Sequence, residues 1–129
     1  MKRTFVALTL LSSCLVLQAQ TMTGEQRDAA EDRIEADSKM AKANCEVLRA
    51  NAKDVCEKQA DAQEKIAKAE LENRYKPSIS NSRKLEQVRA EVAYDVAKER
   101  CEDLRGDAQD QCERTAKSEY ERAEAASRR

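Results

Sequence analysis

Apolar and small residues recur at three- and four-residue intervals through two long stretches that lack proline, Thr23 to Tyr75 and Ser82 to Ala126. That spacing matches the 3.6-residue turn of an α-helix, and both stretches are rich in Ala, Glu, Lys, Arg and Gln. In the first, the stripe runs through Ile34, Ala41, Val55, Ala62, Ile66 and Ala69; in the second, through Leu85, Val88, Val92 and Val96. The segment between them, residues 76–82, holds the single proline and three serines. Pro77 biases Lys76 away from helical geometry, and Ser80 or Ser82 is placed to cap a second helix. Thr23-Gly24-Glu25-Gln26 has the form of a capping box at the start of the first. The pattern predicts an all-α fold: helix 23–75, turn 76–82 and helix 82–126, paired as an antiparallel, coiled-coil-like two-helix hairpin.

An internal repeat lies within this pattern. Cys45 opens CEVLRANAKDVCEKQA and Cys101 opens CEDLRGDAQDQCERTA, nine of sixteen positions being identical at an offset of 56 residues. Each copy spaces Cys, Leu, Ala and Cys by 3, 4 and 4 residues: Cys45, Leu48, Ala52, Cys56 and Cys101, Leu104, Ala108, Cys112. On a continuous helix all four share one face. Where the first copy has Ala50 the second has Gly106, which costs a helix about 1 kcal/mol and is a candidate for a local bend.

Cysteines eleven apart on one helix are separated by about 16 Å, whereas a disulfide needs Cα atoms within about 7 Å. An antiparallel hairpin instead pairs residues whose numbers have a constant sum. Cys45 with Cys112 and Cys56 with Cys101 both give 157, and half of that falls in the proline turn. The expected disulfides are therefore Cys45–Cys112 and Cys56–Cys101. The same register sets Ala41 opposite Ala116 and Ile34 opposite Ala123.

The start of the chain reads as a signal peptide over residues 1–19. Lys2 and Arg3 precede an apolar run from Phe5 to Leu17, and Leu17-Gln18-Ala19 suits cleavage after Ala19. Processing at Cys14, within Leu11-Ser12-Ser13-Cys14, is the lipoprotein alternative. The run is too short to span a membrane, and a periplasmic location follows. Cleavage leaves residues 20–129 with four cysteines, an even number in a compartment where disulfides persist. Losing Lys2 and Arg3 from 24 basic residues leaves 22 against 25 acidic ones, a net charge of −3 with both signs interspersed. No basic stripe suggests nucleic acid. Leu, Ile, Val and Phe are only 12 of the 110 mature residues, so cross-links must supplement a thin core.

The chain has no histidine, no tryptophan and no glycine-rich loop, so the usual residues of serine hydrolysis, zinc hydrolysis and phosphate binding are missing. Its carboxylates alternate with basic residues, as solvated helix faces do. No enzyme, cofactor or resident metal is expected. Reduced thiols in pairs would suit a soft two-coordinate ion better than zinc. Contact with a protein partner is expected at the apolar residues Tyr75, Ile79, Tyr94 and Tyr120, because tyrosine offers large area at low entropic cost.

The layout resembles the twin-cysteine helical hairpins of the mitochondrial intermembrane space. More closely, the two cysteine copies and the segment AELENRYKP, Ala69 to Pro77, resemble small exported proteobacterial proteins of unknown role. These carry a duplicated Cys-acid-x-Leu…Ala-x-Asp-x-Cys segment, and some are likened to the envelope protein TolA. The resemblance spans most of residues 30 to 120 and implies a periplasmic setting. The expected function is a non-enzymatic structural or interaction protein of the cell envelope, stress-related in one version. Chaperone-like client binding and thiol-based handling of a soft metal are the alternatives.

Overall fold

A computed structural model describes residues 21–128. The signal segment 1–19, its cleavage point at Ala19 and Cys14 lie outside the described residues. The remainder is all-α, but it contains four helices where two were expected: α1 (Gly24–Cys45), α2 (Asn51–Tyr75), α3 (Ile79–Cys101) and α4 (Asp107–Ser127). Each long predicted helix is broken in the middle and folded back. Among the described residues, α1 packs on α2, α2 on α3 and α3 on α4, and no other pair of helices touches. The result is an open row of antiparallel helices with α2 and α3 inside.

The helix ends explain themselves locally. Thr23 caps α1: its hydroxyl accepts from the Gln26 amide at 3.2 Å, and the Gln26 side chain accepts from the Thr23 amide at 3.0 Å. After Tyr75, Lys76 leaves helical geometry, as the following proline requires. Ser78, rather than Ser80 or Ser82, caps α3, accepting from the Asn81 amide at 3.0 Å. Asn81 donates back to the Lys76 carbonyl at 2.7 Å, which closes the turn.

The breaks fall within the repeat, at residues 46–50 and 102–106. There the backbone swings out of the helix through Ala50 (φ 51°, ψ −147°) in one copy and Gly106 (φ 57°, ψ −138°) in the other. The helix restarts at once: the amides of Lys53 and Asp110 donate to the carbonyls of Ala50 and Gly106. This region of backbone space is close to glycine-only. Gly106 therefore belongs to the corner and does not weaken a helix. Nothing lies within 4 Å of the place its side chain would occupy, so the requirement for glycine is one of backbone strain alone.

Each corner brings its two cysteines together. Cys45 bonds Cys56 and Cys101 bonds Cys112, with Cα–Cα distances of 5.6 Å in both. The expected pairs Cys45–Cys112 and Cys56–Cys101 are thus corrected. The premise that failed was helical continuity between cysteines eleven apart.

The inferred register survives on the inner pair. Across α2 and α3, Arg89 meets Glu70 at 2.7 Å, Lys65 meets Glu91 at 3.9 Å and Ser82 meets Asn73 at 3.2 Å, pairs whose numbers add to between 155 and 159. Across α1 and α2 the contacts Lys42–Asp61, Ser38–Glu64 and Glu35–Lys68 add to 102 or 103. Across α3 and α4, Tyr94–Tyr120 gives 214. The two outer registers differ by about 112, twice the offset of 56 between the sequence copies. The fold is a tandem pair of disulfide-closed helical hairpins, joined through α2 and α3.

Exchange of the corner residue between copies has a defined outcome. Ala50→Gly should raise stability by about 1 kcal/mol, since relief of one to three kcal/mol of strain outweighs the added freedom of the unfolded chain. Gly106→Ala should lower it by a similar amount. Urea unfolding followed by helical circular dichroism measures both, and unchanged midpoints would contradict the corner geometry.

Candidate functional site

The four residues expected to form a contact strip do not come together. Tyr94 and Tyr120 stack across α3 and α4, ring centroids 5.2 Å apart, and both are half-buried. They brace the second hairpin, with Lys98 5.7 Å from the Tyr94 ring. Tyr75 is half-buried at the end of α2, its hydroxyl placed 3.8 Å from where a side chain at Gly24 would stand. Ile79 alone of the four is open, at 74% exposure, beside the proline turn.

At the opposite end of the molecule Leu48 and Leu104, which the sequence pattern put on the packing stripe, are each 39% exposed, and neighbouring Val47 is 83% exposed. Leu48 and Leu104 occupy matching corner positions, where the 3.6-residue period no longer applies. The two corners share one end because α2 begins where α3 finishes: the Asn51 side-chain amide donates to the Glu99 carbonyl at 3.0 Å. An observer reading Gly106 as a chain reversal would have moved both leucines out of the core.

Between α1 and α2 the interface is polar. Ser38, buried at 7% exposure, donates to the Glu64 carboxylate at 2.6 Å. Lys68 bridges Glu35 at 2.9 Å and Glu64 at 3.0 Å, while Lys42 meets Asp61 at 2.6 Å. The Ser38 hydroxyl, then Lys68, holds the Glu64 carboxyl below the ordinary carboxylate range. The carboxylates of Glu35 and Glu64 push the Lys68 ammonium upward. Replacing Ser38 by alanine should cost about 1.5 kcal/mol, the low end for a hydrogen bond to a charged group, because the Glu64 side chain is still 23% exposed. A depressed carboxyl stabilises the fold above its unfolded value, near pH 4, and loses that contribution as the pH falls through its lower folded value. Stability should therefore drop on acidification below about pH 4, and less steeply in Ser38→Ala than in the parent protein. Chemical denaturation at a series of pH values tests the difference in slope.

A hollow of about 530 Å³ forms an open groove along α1, α2 and α3. Arg27, Lys65, Lys68 and Lys84 line it together with Glu31, Glu72 and Glu91, so charges of both signs are mixed along it. Among the described residues no three His, Cys, Asp or Glu side chains converge in a metal-ligating group. All four cysteine sulfurs there are joined in disulfides, so coordination by thiolate would first require reduction. No helix among the described residues is long and apolar enough to cross a membrane. Comparison of the chain with protein families, with curated proteins and with solved structures finds no match.

Proposed function

We propose that this protein is a non-enzymatic structural or interaction module of the cell envelope, exported to the periplasm and working in its disulfide-bonded form. The observation that carries this reading is the doubled, covalently closed corner. Two staples hold two matching leucines at one end of a rigid helical row, while the long faces present charges of both signs. The disulfides fit an oxidising compartment, and rigid helices tipped with apolar side chains suit contact with another macromolecule. Photo-crosslinking groups placed at Leu48 and Leu104 should trap one discrete envelope component in living cells. Groups on the α2 and α3 faces, at Lys58 and Gln87, should not. Equal trapping from all four positions would overturn the assignment of the corners.

Exposure of Met40, Val47 and Ile79 as well favours a second reading, chaperone-like binding of unfolded clients. Suppression of aggregation of a reduced, unfolded client by the oxidised protein separates the two. Handling of a soft metal requires the reduced form, and metal titration before and after reduction tests it.

A further inference from the structure

Two foldings of the same stripe compete in this chain. Through each corner the sequence keeps its helical period, Cys-Leu-Ala-Cys at intervals of 3, 4 and 4, and residues 46–50 are Glu-Val-Leu-Arg-Ala, with neither glycine nor proline. Helical geometry at these residues would also relieve the positive φ of Ala50. The inner pair already lies in the register in which Cys45 would face Cys112 and Cys56 would face Cys101.

We infer that the two disulfides act as a redox-sensitive lock: with both reduced, α1 straightens onto α2 and α4 onto α3, and the molecule becomes one extended pair of long antiparallel helices. In that form the α1 face that now meets α2, around Ile34 and Ala41, meets the α4 face around Ala116 and Ala123. Across α1 and α2 the contacts given up are Ser38–Glu64, the partly exposed ion pairs Glu35–Lys68 and Lys42–Asp61, and alanines such as Ala60. Across α3 and α4 they are alanine methyls and the Tyr94–Tyr120 stack. Leu48 and Leu104, each 39% exposed at the corners, would instead lie within one residue of facing Ala108 and Ala52, pairs whose numbers add to 156. Both bridges must open. With one still closed, the released outer helix would project past the end of the row with no partner.

The chemistry is dithiol exchange. A thiolate of a small dithiol attacks Sγ of Cys56 or Cys112, both half-buried, whereas Cys45 and Cys101 have no exposed surface. The mixed disulfide forms as Cys45 or Cys101 leaves as a thiolate and takes up a proton. The second thiol of the reductant then displaces the protein sulfur and closes its own ring. Each bridge accepts two electrons and two protons from one dithiol.

Small-angle scattering of the full mature chain tests the change of length. A helix over 23–75 is about 80 Å long, against about 38 Å for α2, so the maximum dimension should rise nearly twofold in excess dithiothreitol, with helical circular dichroism retained. An unchanged dimension, or loss of the helical signal, would overturn the inference. The paired variant Cys56→Ser/Cys101→Ser keeps Cys45 and Cys112, on α1 and α4, which do not touch in the oxidised fold. Mild oxidation should join them within one monomer. Cys45→Ser/Cys101→Ser keeps Cys56 and Cys112, whose sum of 168 is out of register, and should form no such bond. Adding Ala50→Gly to the first variant should lower the yield of the cross-link about fivefold, by favouring the corner. A helical first variant without an intramolecular Cys45–Cys112 bond sinks the proposal, as does one that has lost its helices.

Discussion

Tryptic digestion of the oxidised protein without reductant is expected to release ANCEVLR joined to DVCEK, and CEDLR joined to GDAQDQCER. Arg49 and Arg105 lie between the paired cysteines, so cleavage there separates the two halves of each bridge and the connectivity is read from mass alone. A peptide uniting ANCEVLR with GDAQDQCER would instead mark the long hairpin. Removing one bridge as Cys45→Ser/Cys56→Ser should cost about 3 kcal/mol in the loop-entropy account, since each bridge closes a loop of only a dozen residues. The same loss is expected for Cys101→Ser/Cys112→Ser. For a chain with so little apolar surface, either loss is a large part of the total stability. Urea midpoints of the two variants, compared with the parent, provide the measurement. A loss below about 1 kcal/mol in both would mean that packing, not the bridges, holds the hairpins closed.

The second large effect is expected at Leu71. It is 2% exposed on α2 and is the largest fully buried side chain among the described residues. Truncation to alanine should cost about 3 kcal/mol, combining lost burial with a cavity at the inner helix pair. Leu48→Ala and Leu104→Ala should each cost well under 1 kcal/mol, because those side chains are partly wet. The contrast matters more than either value. A continuous two-helix hairpin would bury Leu48 and Leu104 and make them the costlier losses. Thermal or urea unfolding of the three variants distinguishes the two arrangements.

Those leucines also show where the sequence was and was not legible. Helical periodicity, the Thr23 capping box, the Pro77 turn and the register about 157 all depend on neighbours in the chain or on one antiparallel pairing, and all are present. The corners depend on a competition that local pattern does not resolve. Glu46 to Ala50 are acceptable helix formers, and the tertiary fold places Ala50 at positive φ against its preference. The one local sign was Gly106, read as a weak point and a local bend within a helix when it stands at a full chain reversal. Once continuity was assumed, the equal sums of the cysteine numbers appeared to decide the pairing. The same assumption put Leu48 and Leu104 in the core and left Leu71 off the stripe. Tyr94 and Tyr120 are legible as aromatic residues on helices. Their stacking on each other follows only from the outer register, which the folded-back second hairpin sets.

Pairing of Cys45 with Cys56 and of Cys101 with Cys112, each with its neighbour in the chain, has a bearing on how such a chain matures. In a polypeptide that crosses a membrane from its amino end, Cys45 and Cys56 reach the oxidising side before Cys101 and Cys112 follow. Bonding in order of arrival then yields the native connectivity directly, with no wrong bond to break and no isomerase needed to reshuffle it. Every interhelical contact joins elements adjacent in the chain, so each hairpin closes through a short loop without waiting for more distant residues.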